Sequence, residues 1–427
     1  MRRGELLREL EQSGLPERLT PVYGKDAPSA AYRLRELVLE YGETFPCGDD
    51  AETLLFSTPG RTELGGNHTD HQHGHGLAAS VNLDTIACVV PNNSQTIRIK
   101  SRHHRMAEVD LGDLSIRKEE TGNSVSLVRG VAARLTQMGY TVGGFDAYTT
   151  TRVLRGSGLS SSAAFEVLAA TIMNQLFCSG DLDSTDLAKV GQYAENVYFG
   201  KPCGLMDQMS CSTGGVIAID FRDPDNPDLR RVQVDLDSFG YALCIVDTRA
   251  SHADLTADYA AITHEMREVA ACFGREILGD VSFDRFRKNL ATVRATCGDR
   301  AALRAYHFFK DDQRVIQQCD ALERGDFDEF LHLVRQSGRS SFMYLQNVSN
   351  YRESRSQPVA FLLALAEDLL NGRGAYRVHG GGFAGTIQAF VPLDMLPEFV
   401  SGMEAVAGQG SCHVVSFRSA GSVPLVC

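Results

Sequence analysis

The residues with the clearest chemical potential form a short glycine- and serine-rich run. It reads Gly156-Ser157-Gly158-Leu159-Ser160-Ser161-Ser162, and a strongly helix-forming stretch, 163–170, follows at once. A loop that opens onto a helix N-terminus presents unpaired N–H groups and the positive end of the helix dipole to an anion. We therefore predict that 156–162 binds the phosphates of a nucleotide triphosphate. An ordinary serine-capped helix after a turn is the alternative that this run alone leaves open.

Other polar residues stand in patterns that suit the same chemistry. The chain lacks a Walker A motif and a protein-kinase catalytic loop, so a phosphoryl-transfer enzyme built on this loop belongs to another class. The further segments are Pro59-Gly60-Arg61-Thr62-Glu63-Leu64-Gly65-Gly66-Asn67-His68-Thr69-Asp70, then Glu195, then Cys203-Gly204-Leu205-Met206-Asp207-Gln208, and finally Tyr376-Arg377-Val378-His379-Gly380-Gly381-Gly382-Phe383-Ala384-Gly385.

Composition limits the class of protein. A length of 427 residues suits two domains, and a net charge of −12 disfavours nucleic acid as the main partner. We find no apolar run of the roughly 20 residues that a membrane span needs, and no apolar segment typical of a secretory signal. The eleven cysteines are scattered without a Cys-x-x-Cys pair, which favours reduced thiols. We predict a cytoplasmic protein with a small-molecule substrate and neither a nucleic-acid nor a membrane partner.

Hydrophobic periodicity predicts a mixture of helices and hairpin-spaced strands, which favours an α+β fold. We predict helices near 125–139, 162–177, 184–199, 255–274, 299–323, 326–337 and 357–371. We predict strands at 53–57, ending at Pro59-Gly60, and at 77–90, 96–100, 106–111, 143–151, 215–221, 241–247, 375–379 and 385–391. In the helix 184–199, Glu195 falls on the flank of the apolar stripe. The proline-containing segment 222–227 is the best candidate boundary, which gives an N-terminal extension over 1–24 and lobes over 25–225 and 226–427.

The order and content of these segments resemble the GHMP small-molecule kinases and, among them, the galactokinases. The resemblance runs from about Leu55 to the end of the chain. The serine-rich run is its most specific part, and the first segment is similar to the galactokinase signature Gly-Arg-x-Asn-Leu-Ile-Gly-Glu-His-Thr-Asp-Tyr. The resemblance implies a two-lobe GHMP kinase fold, with an N-terminal lobe like domain 2 of ribosomal protein S5 and a ferredoxin-like C-terminal lobe. It implies ATP and Mg²⁺ as cofactors and a sugar as substrate.

The resemblance also implies a role for each matching residue. Asp207 corresponds to the aspartate beside the sugar C1 hydroxyl, which either removes the hydroxyl proton as general base or only orients the hydroxyl, and Arg61 corresponds to the arginine that pairs with it. Ser162 and Glu195 correspond to the Mg²⁺ ligands. The phosphates would lie against Gly156, Ser157, Gly158, Leu159, Ser160, Ser161 and Ser162. The sugar would contact Asn67, His68, Asp70, Gly204, Asp207 and Tyr259; Tyr259 follows His252 by seven residues, as the sugar-contacting tyrosine of the family follows a histidine.

The chain departs from the signature where Asn67 replaces its glutamate, the residue that contacts the C6 hydroxyl of the sugar in galactokinases. A neutral amide tolerates a C6 carboxylate, which an anionic glutamate would repel. Because His68 and Asp70 of the signature are retained, galactose is the expected substrate, with galacturonate and L-arabinose as alternatives, and a non-catalytic sugar sensor as the alternative from another class. The histidines 68, 71, 73 and 75 suggest a transition-metal site, but Gly74 and Gly76 favour a loop.

Overall fold

The computed structural model describes residues 1–11, 14–154, 158–250, 255–349, 351 and 354–426. Its helices are α1 (Arg3–Glu11), α2 (Gly14–Tyr23), α3 (Ala27–Thr44), α4 (Ser124–Gln137), α5 (Ser161–Phe177), α6 (Ser184–Tyr193), α7 (Met206–Thr213), α8 (Thr256–Ala271), α9 (Phe283–Lys288), α10 (Leu290–Glu323, kinked at Gly298), α11 (Phe327–Ser340), α12 (Pro358–Leu370) and α13 (Leu396–Ala407). Its strands are β1 (Leu54–Gly65), β2 (His75–Pro91), β3 (Thr96–Ser101), β4 (Met106–Asp110), β5 (Phe145–Thr151), β6 (Val216–Asp220), β7 (Asp228–Val232), β8 (Tyr241–Asp247), β9 (Ala375–His379), β10 (Thr386–Pro392), β11 (Cys412–Val415) and β12 (Val423–Val426).

The strands form two sheets. Within the described residues, the larger sheet has the order β12-β1-β2-β5-β3-β4, with β6 also paired to β2 and β7 to β6. Its pairs are antiparallel except β3 with β5. The smaller sheet is fully antiparallel in the order β11-β8-β10-β9. Helices are thus combined with two largely antiparallel sheets, which confirms the predicted two-lobe α+β fold.

Apolar packing covers both faces of the larger sheet. Helices α4, α5 and α6 pack on one face, and α1, α2 and α3 pack on the other. Helix α6 begins with a capping box, because Asp183 accepts from backbone N–H groups of the first turn while Asp186 accepts from the N–H of Asp183. Helices α12 and α13 cover the smaller sheet. A further cluster, to which α5, β2, β8 and α11 contribute, joins the two sheets.

Strand β1 is longer than the sequence predicts. The expected stop at Pro59-Gly60 is wrong, because β1 continues to Gly65 along β2. Its register shifts between Pro59 and Arg61, and again between Glu63 and Gly65. These irregularities let the β1–β2 pairing continue past the proline, so the strand does not end there.

Two strands that follow the proposed boundary at 225/226 lie in the larger sheet. β7 pairs with β6, and β12 pairs with β1. The boundary itself stays a prediction. The N-terminal extension contains both α1 and α2, which pack with α3 over the sheet. Among the described residues, no helix combines the length and apolar character that crossing a bilayer requires.

Candidate active site

The centre of the site is a carboxylate at the start of α7. Nη2 and Nε of Arg61 lie 2.6 and 2.7 Å from Oδ1 of Asp207, and the Ser160 hydroxyl donates to Oδ2. Burial alone would raise the pKa of the Asp207 carboxyl, but the Arg61 guanidinium and the Ser160 hydroxyl hold that pKa below its ordinary value. Asp207 is therefore an ionised acceptor at neutral pH.

Strand β1 brings Arg61 to this carboxylate by lying directly against the serine-rich loop. The backbone N–H of Arg61 donates to the carbonyl of Leu159 at 3.1 Å, and its guanidinium donates to the carbonyl of Gly158. A Cβ at Gly60 would lie 2.8 Å from the same Leu159 oxygen, so only glycine permits this approach. The two segments are thus fixed to each other through their backbones.

The serine-rich loop turns sharply into α5. Gly158 and Ser160 have φ of 69° and 56°, in the left-handed region, and Ser161 begins the helix. Leu159 is buried in the core between the sheets, which leaves the serine hydroxyls on the polar side. Gly156 and Ser157, predicted phosphate contacts, lie outside the described residues.

The predicted metal ligands are in contact. The Ser162 hydroxyl donates to Oε1 of Glu195 at 3.1 Å. Glu195 is only 1% exposed, so its expected position on a helix flank is wrong. The physical reason is that α6 ends at Tyr193 and a π-helical turn, Ala194–Phe199, follows and carries the carboxylate inward.

Three residues to which the sequence analysis gave no role surround Glu195. Lys201 pairs with its Oε1 at 3.1 Å. Gln208 donates to its Oε2 at 2.9 Å and to Oε1 of the buried Glu166 at 2.7 Å. Burial and the neighbouring Glu195 raise the pKa of Glu166 well above its usual range. The position of Gln208 directly after Asp207, and of Lys201 six residues after Glu195, is the only signal the sequence offered.

Asp70 lies beside α7, close to the Asp207 carboxylate. A Cβ at Gly204 would lie 1.8 Å from Oδ2 of Asp70, so glycine is required where the two segments meet. Burial, and then the charge of Asp207, raise the pKa of Asp70 to about 6. Asp70 and Asp207 therefore offer two acceptors of different basicity at one place.

His68 and Tyr259 both contact the glycine turn between β9 and β10. The ring of His68 lies 3.1 Å from the carbonyl oxygen of Gly381, and the Tyr259 hydroxyl donates to the carbonyl of Gly382 at 2.8 Å. A Cβ at Gly381 would lie 2.4 Å from the Tyr259 ring. The glycines thus allow the turn to pack against both side chains, and the sugar-binding roles of His68 and Tyr259 stay predictions.

Asn67 is completely buried, and each hydrogen-bonding position of its side chain is used within the protein. Nδ2 donates to Glu63 at 3.1 Å and to the carbonyl of Gly380 at 2.7 Å. Oδ1 accepts from Ser341 at 3.2 Å and from Asn347 at 2.8 Å. A direct contact from Asn67 to a ligand would therefore need one of these bonds to open, and its substrate-binding role stays a prediction.

The histidines of this region form two separate sets of contacts. His68 and His71 face each other at 3.2 Å, and burial lowers the pKa of each, to about 4 and about 3. His75 pairs with Asp312 at 2.8 Å, which raises its pKa. Across the described part of the chain, no three His, Cys, Asp or Glu side chains are grouped so that they could hold a metal ion.

Two family models match the chain. Residues 126–215 match the GHMP kinases N terminal domain, and residues 40–91 match the galactokinase galactose-binding signature. The first match contains Ser160, Ser162, Glu195 and Asp207, and the second contains Arg61 to His71. The serine-rich run, the segment 59–70, Glu195 and the segment 203–208 therefore lie within the matched regions, whereas Tyr259 and the segment 376–385 lie outside them.

Solved structures share the fold. Galactokinase from Lactococcus lactis, complexed with galactose, is 24% identical with a TM-score of 0.79, and the match covers 92% of this chain and 99% of that one. A mevalonate kinase is 14% identical with a TM-score of 0.60, over 86% and 99%. A D-glycero-D-manno-heptose 1-phosphate kinase from Bacteriodes thetaiotaomicron is 17% identical with a TM-score of 0.59, over 87% and 98%.

Proposed function

We propose that this chain, a member of the GHMP kinase family by its two family domains and its fold, transfers the γ-phosphoryl group of ATP to the anomeric C1 hydroxyl of galactose. The galactose-binding signature supports a sugar kinase, and the assignment to C1 of galactose is the finer step that we add. The contact of Asp207 with both Arg61 and Ser160 carries the proposal.

In this proposal Asp207 accepts the proton of the C1 hydroxyl as that oxygen attacks the γ-phosphorus. Its hydrogen bond to Arg61 keeps it ionised and positioned, and in this proposal the guanidinium also stabilises the negative charge that develops during transfer. The bond from the attacking oxygen to phosphorus forms as the bond from phosphorus to the β,γ-bridging oxygen breaks. The N-terminus of α5 adds backbone donors for the phosphates.

Mg²⁺ fits the residues present. The Ser162 hydroxyl and the Glu195 carboxylate are hard oxygen ligands in mutual contact, and Mg²⁺ typically takes one or two such ligands and completes its shell with phosphate oxygens and water. When bound, the ion would neutralise charge on the phosphates. Ser162 and Glu195 would hold it, while Gln208 keeps Glu195 oriented.

Galactose is favoured because two residues of the galactose-binding signature lie at the site. Asp70 lies against Gly204, close to Asp207, and His68 contacts the glycine turn between β9 and β10. The neutral Asn67 keeps galacturonate and L-arabinose in the test set, although its amide is fully engaged by the protein. We also propose a cytoplasmic location, which the free thiols of the described residues support.

The decisive experiment measures ADP release with Mg·ATP across galactose, galacturonate, L-arabinose, N-acetylgalactosamine, glucose and mevalonate, with the phosphorylated carbon identified by NMR. We expect the highest kcat/KM with galactose and phosphate on C1. A preference for galacturonate or L-arabinose would overturn the galactose assignment. Sugar binding without turnover of any of them would overturn the catalytic proposal in favour of a sensor.

A further inference from the structure

Lys201 occupies a position that the proposed chemistry has not used. Gly200, with φ of 82°, ends the π-helical turn, and the backbone N–H of Lys201 donates back to the carbonyl of Glu195 at 3.2 Å. This turn directs the aliphatic stem of Lys201 over the Glu195 carboxylate. The Lys201 side chain is 61% exposed, whereas the Glu195 side chain is 2% exposed. A largely exposed cation therefore lies against a buried anion.

The lysine ammonium and the Ser162 hydroxyl share one acceptor. Nζ of Lys201 and Oγ of Ser162 each lie 3.1 Å from Oε1 of Glu195. The second oxygen of Glu195 is bound by Gln208. A metal ion held by both Ser162 and Glu195 would therefore bind at Oε1, where the ammonium already places a positive charge.

We propose that Lys201 is a nucleotide-binding residue that pairs with Glu195 in the free protein and moves its ammonium to the triphosphate when nucleotide binds, which leaves Glu195 free for the metal ion. The proposal rests on the proposed function, because it takes the nucleotide and the metal from there. It adds a phosphate contact and a competition between the lysine and the metal for one oxygen of Glu195.

The physical reason for this movement of the Lys201 ammonium is electrostatic. Two cations that share one carboxylate oxygen repel each other, and the lysine is the one with a long flexible stem and access to solvent. Triphosphate oxygens arriving at the α5 N-terminus offer the ammonium a denser negative charge than Glu195 does. Lysine binds phosphate as a point charge without a fixed geometry, so no rearrangement of the backbone is required.

The test uses Lys201→Met, which keeps the length of the side chain and removes its charge. We expect ATP binding in the presence of EDTA, measured by calorimetry, to weaken about three- to tenfold, because one charge-assisted contact is lost. We expect Mn²⁺ binding in the absence of nucleotide, measured by electron paramagnetic resonance, to tighten by a similar factor, because the competing charge is gone. Lys201→Arg should restore much of the ATP affinity.

Lys189→Met is the matched control. Lys189 lies on α6 and donates to the backbone carbonyl of Asp225, away from the carboxylate cluster, so its replacement should change neither affinity. Unchanged affinities for both probes in Lys201→Met would overturn the proposal, as would weaker binding of both. Lys201→Gln serves as a second neutral variant should the methionine variant fail to fold.

These binding measurements separate the two proposals. A wild-type protein that binds ATP and Mn²⁺ but phosphorylates no sugar contradicts the proposed function, and the opposite shifts in the two affinities would still support the role of Lys201. Turnover of galactose together with unchanged affinities in Lys201→Met would leave the proposed function standing and remove the lysine from it.

Discussion

At the scale of single residues, Asp207 and Arg61 carry the chemistry that we propose. They are 146 positions apart along the chain, yet both guanidinium contacts reach the same carboxylate oxygen. Ser160 fixes the other oxygen from the loop before α5. The resemblance implied the first contact, and the structure adds the second, which links the base to the loop that we assign to the phosphates.

Replacing Asp207 by Asn should nearly abolish turnover and leave sugar binding largely intact. An amide of the same shape keeps the contact surface but cannot accept the hydroxyl proton, and general-base catalysis contributes about 10²- to 10⁴-fold in rate. ADP release and sugar calorimetry would measure the two effects. Asp237→Asn is the control, because Asp237 is exposed and lies outside the site. Turnover close to wild type in Asp207→Asn would exclude Asp207 from the mechanism.

Asp70 predicts a pH dependence for sugar binding. Its pKa is raised to about 6, so its carboxylate takes up a proton as the pH falls through that value and loses an acceptor. The sugar KM should therefore rise below about pH 6 while the KM for ATP stays nearly flat. In Asp70→Asn the sugar KM should be high and no longer pH-dependent in this range. An equal pH effect on both substrates would contradict this assignment.

The raised pKa of Asp70 also affects stability, in a definite direction. Between the ordinary pKa of 3.8 and about 6, the folded chain holds a proton that the unfolded chain has released. The contribution of this group to the free energy of unfolding is therefore present below pH 3.8 and is lost as the pH rises through about 6. Urea unfolding of the wild type and of Asp70→Asn across this window would reveal the difference.

At the scale of elements, β1 and β9 are joined by a buried ion pair. Arg377 and Glu63 are 1% and 4% exposed, and Arg377 also donates to the carbonyl of Leu64 at 3.1 Å. Asn67 donates to the same Glu63 oxygen. In the galactokinase signature the acid and the amide at these two positions are exchanged, so the pair of substitutions keeps one acid and one amide next to each other.

Removing Arg377 should be strongly destabilising. Arg377→Met leaves Glu63 buried without its counter-ion, and breaking one side of a buried pair costs about 3–5 kcal/mol. The double variant Glu63→Gln with Arg377→Met should recover much of that loss, because it removes the uncompensated carboxylate. Urea unfolding measures both free energies. A double variant as unstable as the single one would show that packing, rather than charge, dominates at this position.

At the scale of the whole molecule, the last strand ties the end of the chain back to the larger sheet. β12 pairs with β1, and the Ser422 hydroxyl lies 2.5 Å from that of Thr58 and 2.6 Å from that of Thr171. β8 and β11, which precede it, belong to the smaller sheet. The chain therefore crosses between the sheets more than once, and the strand that carries Arg61 depends on residues near position 425.

Deleting residues 423–427 should lower the stability of the sheet that holds the site. The deletion removes the ladder along β1 and the buried side chain of Val426, whose burial alone contributes about 1.5–3 kcal/mol. We expect calorimetry to show a lower melting temperature. We expect kcat to fall while hydrogen exchange shows the smaller sheet largely protected. An unchanged melting temperature would mean that β12 is only loosely attached.

The fold class, most of the elements and the segments of the site could be predicted from the amino-acid sequence. Local periodicity predicts α4, α5, β2 and β8 closely, because a helix or strand records its buried face in neighbouring residues. It missed α3, with its small and mixed residues, and β12, whose pairing is set by a strand far away in sequence. The serine-rich loop was visible because glycine and serine requirements are local.

Only the tertiary structure decided how the predicted residues are used. It buried Glu195 through a π-helical turn, set Lys201 against it, and saturated the side chain of Asn67. The physical reason is that burial, ion pairing and hydrogen-bond satisfaction depend on partners that arrive from other elements. Asn67, for example, meets Ser341 and Asn347 from more than 270 positions away, and no pattern within its own segment contains that information.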